Sequence, residues 1–109
     1  MSWVVHWTDS ASARLEAQAM WFAQKSVPAA MKFVESVRSD VDRLSVFPAI
    51  GPVWRRFPTL QVRTLVTKNH VVYYDIDEER RTVSVLSIRH HRQREPSSAE
   101  IEKAQNEGM

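Results

Sequence analysis

Four cationic or titratable side chains stand in a row where an apolar run ends. They are Arg89, His90, His91 and Arg92, directly after Val83–Ile88. A neutral imidazole can take up a proton, and a guanidinium beside it can stabilise charge growing on a phosphate. Arg63 sits in a second apolar run, Val62–Val66. Alternation places it on one face with Gln61 and Leu65, opposite Val62, Thr64 and Val66. Its planar fork suits two-pronged contact with phosphate or carboxylate. Lys68, in the short polar break Lys68-Asn69, is a further cation. Cleaving RNA through its own 2′-hydroxyl needs a base for the hydroxyl, cations for the crowded phosphate and an acid for the leaving oxygen. His90 or His91 with Arg63 and Arg92 has the chemistry for that. The same residues also read more plainly. The cluster could be a polar strand end in water, Arg63 an exposed strand residue balanced by an acidic neighbour, and Lys68 a solvated turn lysine.

Net charge is +2, but its distribution is uneven. Residues 1–53 carry equal numbers of acidic and basic side chains. Residues 54–94 carry nine basic against four acidic ones, and residues 95–109 carry one basic against four acidic. A basic centre points to a polyanionic or acidic partner, or simply to a well-solvated surface. The chain has no cysteine, so disulfide and cysteine-based zinc frameworks are excluded, and a reducing cytoplasm is the expected compartment. No His, Asp and Glu set has metal-ligand spacing, and the only glycines, Gly51 and Gly108, build no phosphate loop. His6, in an apolar strand, and His70 read as packed histidines. No apolar run is long enough to span a membrane, and the start of the chain does not look like a secretion signal.

The elements that must position these groups follow from periodicity. Trp3–Trp7 reads as a first strand, and Thr8-Asp9-Ser10 offers helix-capping oxygens. Ala11, Leu15, Ala19 and Phe22 then form an apolar stripe on a helix running to about Lys25. Ser26-Val27-Pro28 ends that helix and opens another. In it Ala30, Phe33, Val34, Val37, Val41 and Leu44 recur at three and four residues, as far as about Phe47. So short a break makes the two an antiparallel helical hairpin. Phe47–Thr59, with Pro48, Gly51, Pro52 and Pro58, reads as an irregular connector that Trp54 and Phe57 anchor to the core.

Val62–Val66, Val71–Ile76 and Val83–Ile88 form a meander, joined by Lys68-Asn69 and by the charged loop Asp77–Arg81. Tyr73 and Tyr74 fall one on each face. The expected fold is α+β: a β-α-α-β-β-β two-layer domain, its antiparallel sheet covered by the helical hairpin. Residues 1–94 make that domain, and 95–109 are expected to be a polar, acidic tail, loose or partner-dependent, in which Ser97 or Ser98 caps a short helix through Ala104. Four tryptophans, Trp3, Trp7, Trp21 and Trp54, suit a core or a protein interface better than a ligand box.

The order of motifs resembles a known family. Leu44-Ser45-Val46-Phe47-Pro48-Ala49-Ile50-Gly51 closes the second helix, Val62-Arg63-Thr64-Leu65 precedes Val71-Val72-Tyr73-Tyr74, and Ile88-Arg89-His90-His91-Arg92 ends the last strand. Over about residues 3–94 the chain is similar to the RelE/ParE superfamily of type II toxin–antitoxin toxins, closest to the ParE-like, plasmid-stabilisation branch. The resemblance implies a cytoplasmic toxin that arrests growth, forms a hetero-oligomer with a cognate antitoxin, and needs no cofactor or metal. ParE-like members inhibit DNA gyrase, and RelE-like members cut mRNA on the ribosome without a metal. The nucleases of the superfamily usually place an aromatic residue near the end of the last strand, whereas nothing aromatic follows Tyr74 here. The expectation is therefore a target-binding toxin rather than an enzyme, with Arg63, Arg89, Arg92, Lys68, Trp21 and Trp54 contacting antitoxin or target. A ribosome-dependent nuclease using His90, Arg63 and Arg92 is the alternative. A further one is an inactive homologue that acts only in a repressor complex with its antitoxin.

Overall fold

The computed structural model describes residues 2–56 and 61–107. Thr8 fixes the start of the chain. Its hydroxyl accepts from the Ala11 N–H at 3.2 Å and donates to the Val85 carbonyl at 2.7 Å. One side chain thus caps helix α1 (Asp9–Ala23) and ties it to the sheet directly after strand β1 (Val4–Trp7). Ser26 repeats the cap for α2 (Val27–Asp42), accepting from Ala29 N–H at 3.2 Å, with Pro28 in the first turn. Helix α2 tightens into a 3₁₀ turn at Arg43–Ser45 and ends short of Phe47; a second 3₁₀ turn spans Pro48–Ile50.

The sheet is then completed by β2 (Val53–Arg56), β3 (Gln61–Val66), β4 (His70–Asp77) and β5 (Thr82–His90). The strand order is β1-β5-β4-β3-β2. Strand β1 runs parallel to β5, and every other pairing is antiparallel. The hairpin packs on one sheet face. There Leu15, Val37, Val41 and Leu44 meet Leu65, Val72, Tyr74, Val83, Val85 and Ile88. Beyond the end of β1, the edge of β5 is covered by α1, whose Gln18 amide donates to the Ile88 carbonyl at 3.1 Å.

The α+β fold, the antiparallel meander β3-β4-β5 and the helical hairpin over the sheet stand as expected, while β1 joins β5 in parallel and makes the sheet mixed. One strand is added to the expected order, and the expected short C-terminal helix is longer and packed. The connector contains β2, which pairs with β3 across an irregularity between Val53 and Arg55. Phe57, the second expected anchor of that connector, lies outside the described residues. The acidic tail is not loose: it forms helix α3 (Ser98–Glu107), whose Ile101 and Ala104 are fully buried. The reason is a second apolar sheet face formed by Val62, Val71, Tyr73 and Leu86, which the two apolar residues of α3 cover. Carboxylates hold the helix in place. Glu107 accepts from the backbone N–H and the hydroxyl of Ser10, and Glu100 pairs with Arg14 at 2.6 Å.

Candidate functional site

Three separate groups of side chains result. The first is built around Gly51. The Tyr74 hydroxyl accepts from the Gly51 N–H at 2.9 Å, and Arg63 Nη1 donates to the Gly51 carbonyl at 2.7 Å. A Cβ at Gly51 would lie 2.1 Å from the Thr64 carbonyl oxygen, so the close approach demands glycine although its backbone is extended. Burial pushes the Tyr74 hydroxyl up, against the Gly51 N–H and the Arg63 charge. Arg63 shares the hairpin-side face with Leu65, as alternation predicts.

The second group lies on the opposite face. Arg89 Nε donates to the Tyr73 hydroxyl at 2.7 Å, and Trp54 meets Tyr73 edge-on, centroids 4.8 Å apart. Arg89 Nη1 reaches the carbonyls of His90, His91 and Gln93 at 3.1–3.3 Å. A bulge explains the change of face. The register shifts between Tyr73 and Tyr74, so Tyr73 faces Ser87 while Tyr74 faces Val85. Leu86 and Ser87 then share a side, and every later residue of β5 is flipped relative to Val83 and Val85.

Beside Tyr73 on this face, Asp75 is buried under α3, where Gln105 donates to its carboxylate at 3.2 Å. Burial raises its pKa to about 6; the Gln105 contact opposes the rise and the Asp77 charge adds to it.

The third group is at the far end of the hairpin-side face. Arg89 fixes the turn after β5, Gln93 Oε1 accepts from the His90 N–H at 2.7 Å, and the His90 Nδ1 accepts from the Arg92 N–H at 3.2 Å. His91 Nε2 lies 2.8 Å from the Thr67 carbonyl, which joins this turn to the turn that carries Lys68. His70 stands directly across from His90 in the β4–β5 ladder. It is 2% exposed, lies edge-on to Phe33, and has Asp40 Oδ2 3.5 Å from Nε2. Neither ring nitrogen makes a hydrogen bond. Burial lowers the His70 pKa, with Asp40 opposing and His91 and His90 adding to the fall. The histidine reads as packed, as expected, but its orphaned nitrogens next to the cationic turn make it part of the site. Only the β4–β5 register brings it there.

The structure does not bring the three expected nuclease residues together. Arg63 pairs with Tyr74, whereas His90 pairs with His70, four residues further along β4, roughly 13 Å of strand. The expected single cationic surface is also divided: Arg63 and Arg89 point from opposite faces, and each is bonded within the fold. Arg92 and Lys68 are exposed at one end of the sheet, and Trp21, 53% exposed, borders a groove beside Arg92. Among the described residues, no group of three His, Cys, Asp or Glu could hold a metal, and no helix is long and apolar enough to cross a membrane.

Comparison with known proteins assigns this α+β sheet and its helical hairpin to a family. Residues 5–95 match the model of the ParE toxin of type II toxin–antitoxin systems, parDE. The chain belongs to that family. Among solved structures it is similar to the toxin–antitoxin complex RelBE2 from Mycobacterium tuberculosis, at 22% identity and a TM-score of 0.58, over 84% of this chain and all of that one. That likeness concerns the fold. No curated protein matches the chain.

Proposed function

We propose that this chain is the toxin of a ParE-type pair in the cytoplasm. It acts by binding a protein target such as DNA gyrase and is neutralised by a cognate antitoxin in a hetero-oligomer. The observation that carries the target-binding reading is the dispersal of the candidate nuclease groups. Arg63 serves the Gly51 carbonyl, away from His90 and Arg92, so the second cation that an RNA-cleaving centre needs on the crowded phosphate does not stand beside the His90 base. A protein partner is favoured by the exposed apolar side chains at the tip of the hairpin, Met20 and Trp21 from α1 with Val27 and Met31 from α2. Lys25, its ammonium 4.3 Å from the Trp21 ring centroid, gives that apolar tip a cationic rim suited to an acidic, folding-on-binding antitoxin segment.

Producing the chain alone in cells tests this. The expected result is growth arrest with loss of plasmid negative supercoiling and intact mRNA, reversed by the antitoxin encoded in the neighbouring reading frame. Codon-phased mRNA cuts that vanish in His90→Ala or Arg92→Ala would sink the proposal in favour of a nuclease. Unimpaired growth would favour an inactive homologue.

A further inference from the structure

The groove between α1 and the turn after β5 has features that a protein-docking surface does not require. Its volume is about 710 Å³, within the roughly 300–1,000 Å³ of small-molecule sites. Trp21 and Phe22 form an aromatic wall, and His90 and Arg92 stand on the opposite rim, with no carboxylate in the lining. Because His90 Nδ1 accepts the Arg92 N–H, the neutral ring carries its proton on Nε2. That Nε2–H and the Arg92 guanidinium have no partner among the described residues.

Two amides complete the lining. Gln18 Nε2 donates to the Ile88 carbonyl and to Gln93 Oε1, and that same oxygen also accepts the His90 N–H. Gln18 Oε1 and Gln93 Nε2 are left over, one acceptor and one donor on neighbouring amides. The rim is rigid, because Arg89 clamps the turn through three carbonyls.

A ring to stack on, an adjacent acceptor and donor, and a cation with an N–H donor are the complement of one chemical unit. We propose that the groove binds a nucleoside monophosphate unit, its base against Trp21 with its edge on Gln18 and Gln93, and its phosphate on Arg92 and His90. A simple anion would leave the aromatic wall and both amides unused, and an apolar ring would leave Arg92 and His90 unused. The unit could come from a free mononucleotide or from the phosphorylated end of a single strand, since the groove reads only the base and its phosphate.

Titrating the full chain with AMP, GMP, CMP and UMP, followed by amide and indole NMR shifts, tests this. The expected shifts fall on Trp21, His90 and Gln93 and spare Trp54. Adenosine and ribose 5-phosphate should each bind about tenfold more weakly than AMP, since each lacks one half of the recognised unit. Trp21→Ala and Arg92→Gln should each weaken AMP about tenfold, and Arg92→Gln should leave the thermal unfolding midpoint unchanged, because that side chain is exposed. Trp21→Phe, which keeps a ring, should retain most of the affinity. Shifts at the same residues with a 5′-phosphorylated dinucleotide but not with AMP would identify a strand end as the source and uphold the site. Inorganic phosphate reproducing the shifts and affinity of AMP would overturn it, as would the absence of any shift, or AMP shifts that neither variant alters. None of these readouts involves gyrase or antitoxin, so they are independent of the toxin assignment.

Discussion

At the scale of single residues, the fold relies on Gly51 for space. Any side chain there would strike the Thr64 carbonyl oxygen, which belongs to a strand and cannot swing away. Gly51→Ala should therefore cost at least the roughly 1–3 kcal/mol typical of overpacking, and urea denaturation measures it. The motif Phe47-Pro48-Ala49-Ile50-Gly51 was legible as a helix stop. Its purpose was not, because the Tyr74 and Arg63 contacts exist only once β3 and β4 are paired. Two buried titratable groups act on stability with opposite sign. Asp75 holds its proton up to about pH 6 in the fold. It releases it near 3.8 in the unfolded chain, so its contribution falls as pH rises through that window. Asp75→Asn should thus stabilise the protein near pH 7.5 by about 3 kcal/mol, the gap closing as pH falls from about 6 towards 3.8. His70 stays neutral in the fold below its ordinary 6.5, so its contribution is lost as pH falls below that value. His70→Leu should gain on the wild type as pH drops. Denaturation midpoints of the three proteins across pH 4–8 check both signs.

At the scale of elements, α1, α2 and the meander were legible because each carries its own period. Val37, Val41 and Leu44 repeat at helical spacing, and Val72 and Tyr74 alternate with Val71 and Tyr73. Strand β2 was hidden among Pro48, Pro52 and Pro58, which mark loops in any local reading. Helix α3 was legible as a short polar helix, but its packing against the sheet was hidden for a different reason. Ile101 and Ala104 are little apolar surface among charges, and the face they cover is assembled from three strands. Ile101→Ala should cost about 2–4 kcal/mol and expose the Val62, Tyr73 and Leu86 face to a hydrophobic dye. A folded variant of unchanged stability would show that α3 does not hold that face. Thr8 is the corresponding point on the other side. Thr8→Ala loses both the α1 cap and the bond to Val85 and should cost about 1–2 kcal/mol in the same denaturation assay.

At the scale of the whole molecule, composition announced a basic sheet, but not where its cations point. A single bulge between Tyr73 and Tyr74 sends Arg89 to the face opposite Arg63, and each guanidinium is bonded inside the fold. Of the expected contact residues, Trp21 at the hairpin tip and Arg92 and Lys68 at the sheet end are exposed. That division is the basis of the proposal that this toxin grips a protein rather than cutting RNA. The direct measurement is supercoiling of relaxed plasmid by purified gyrase, with increasing amounts of this chain, beside primer extension on mRNA from a translating extract given the same amounts. The account predicts that supercoiling is lost while the mRNA remains whole. Untouched supercoiling together with codon-phased cuts in the mRNA would contradict it.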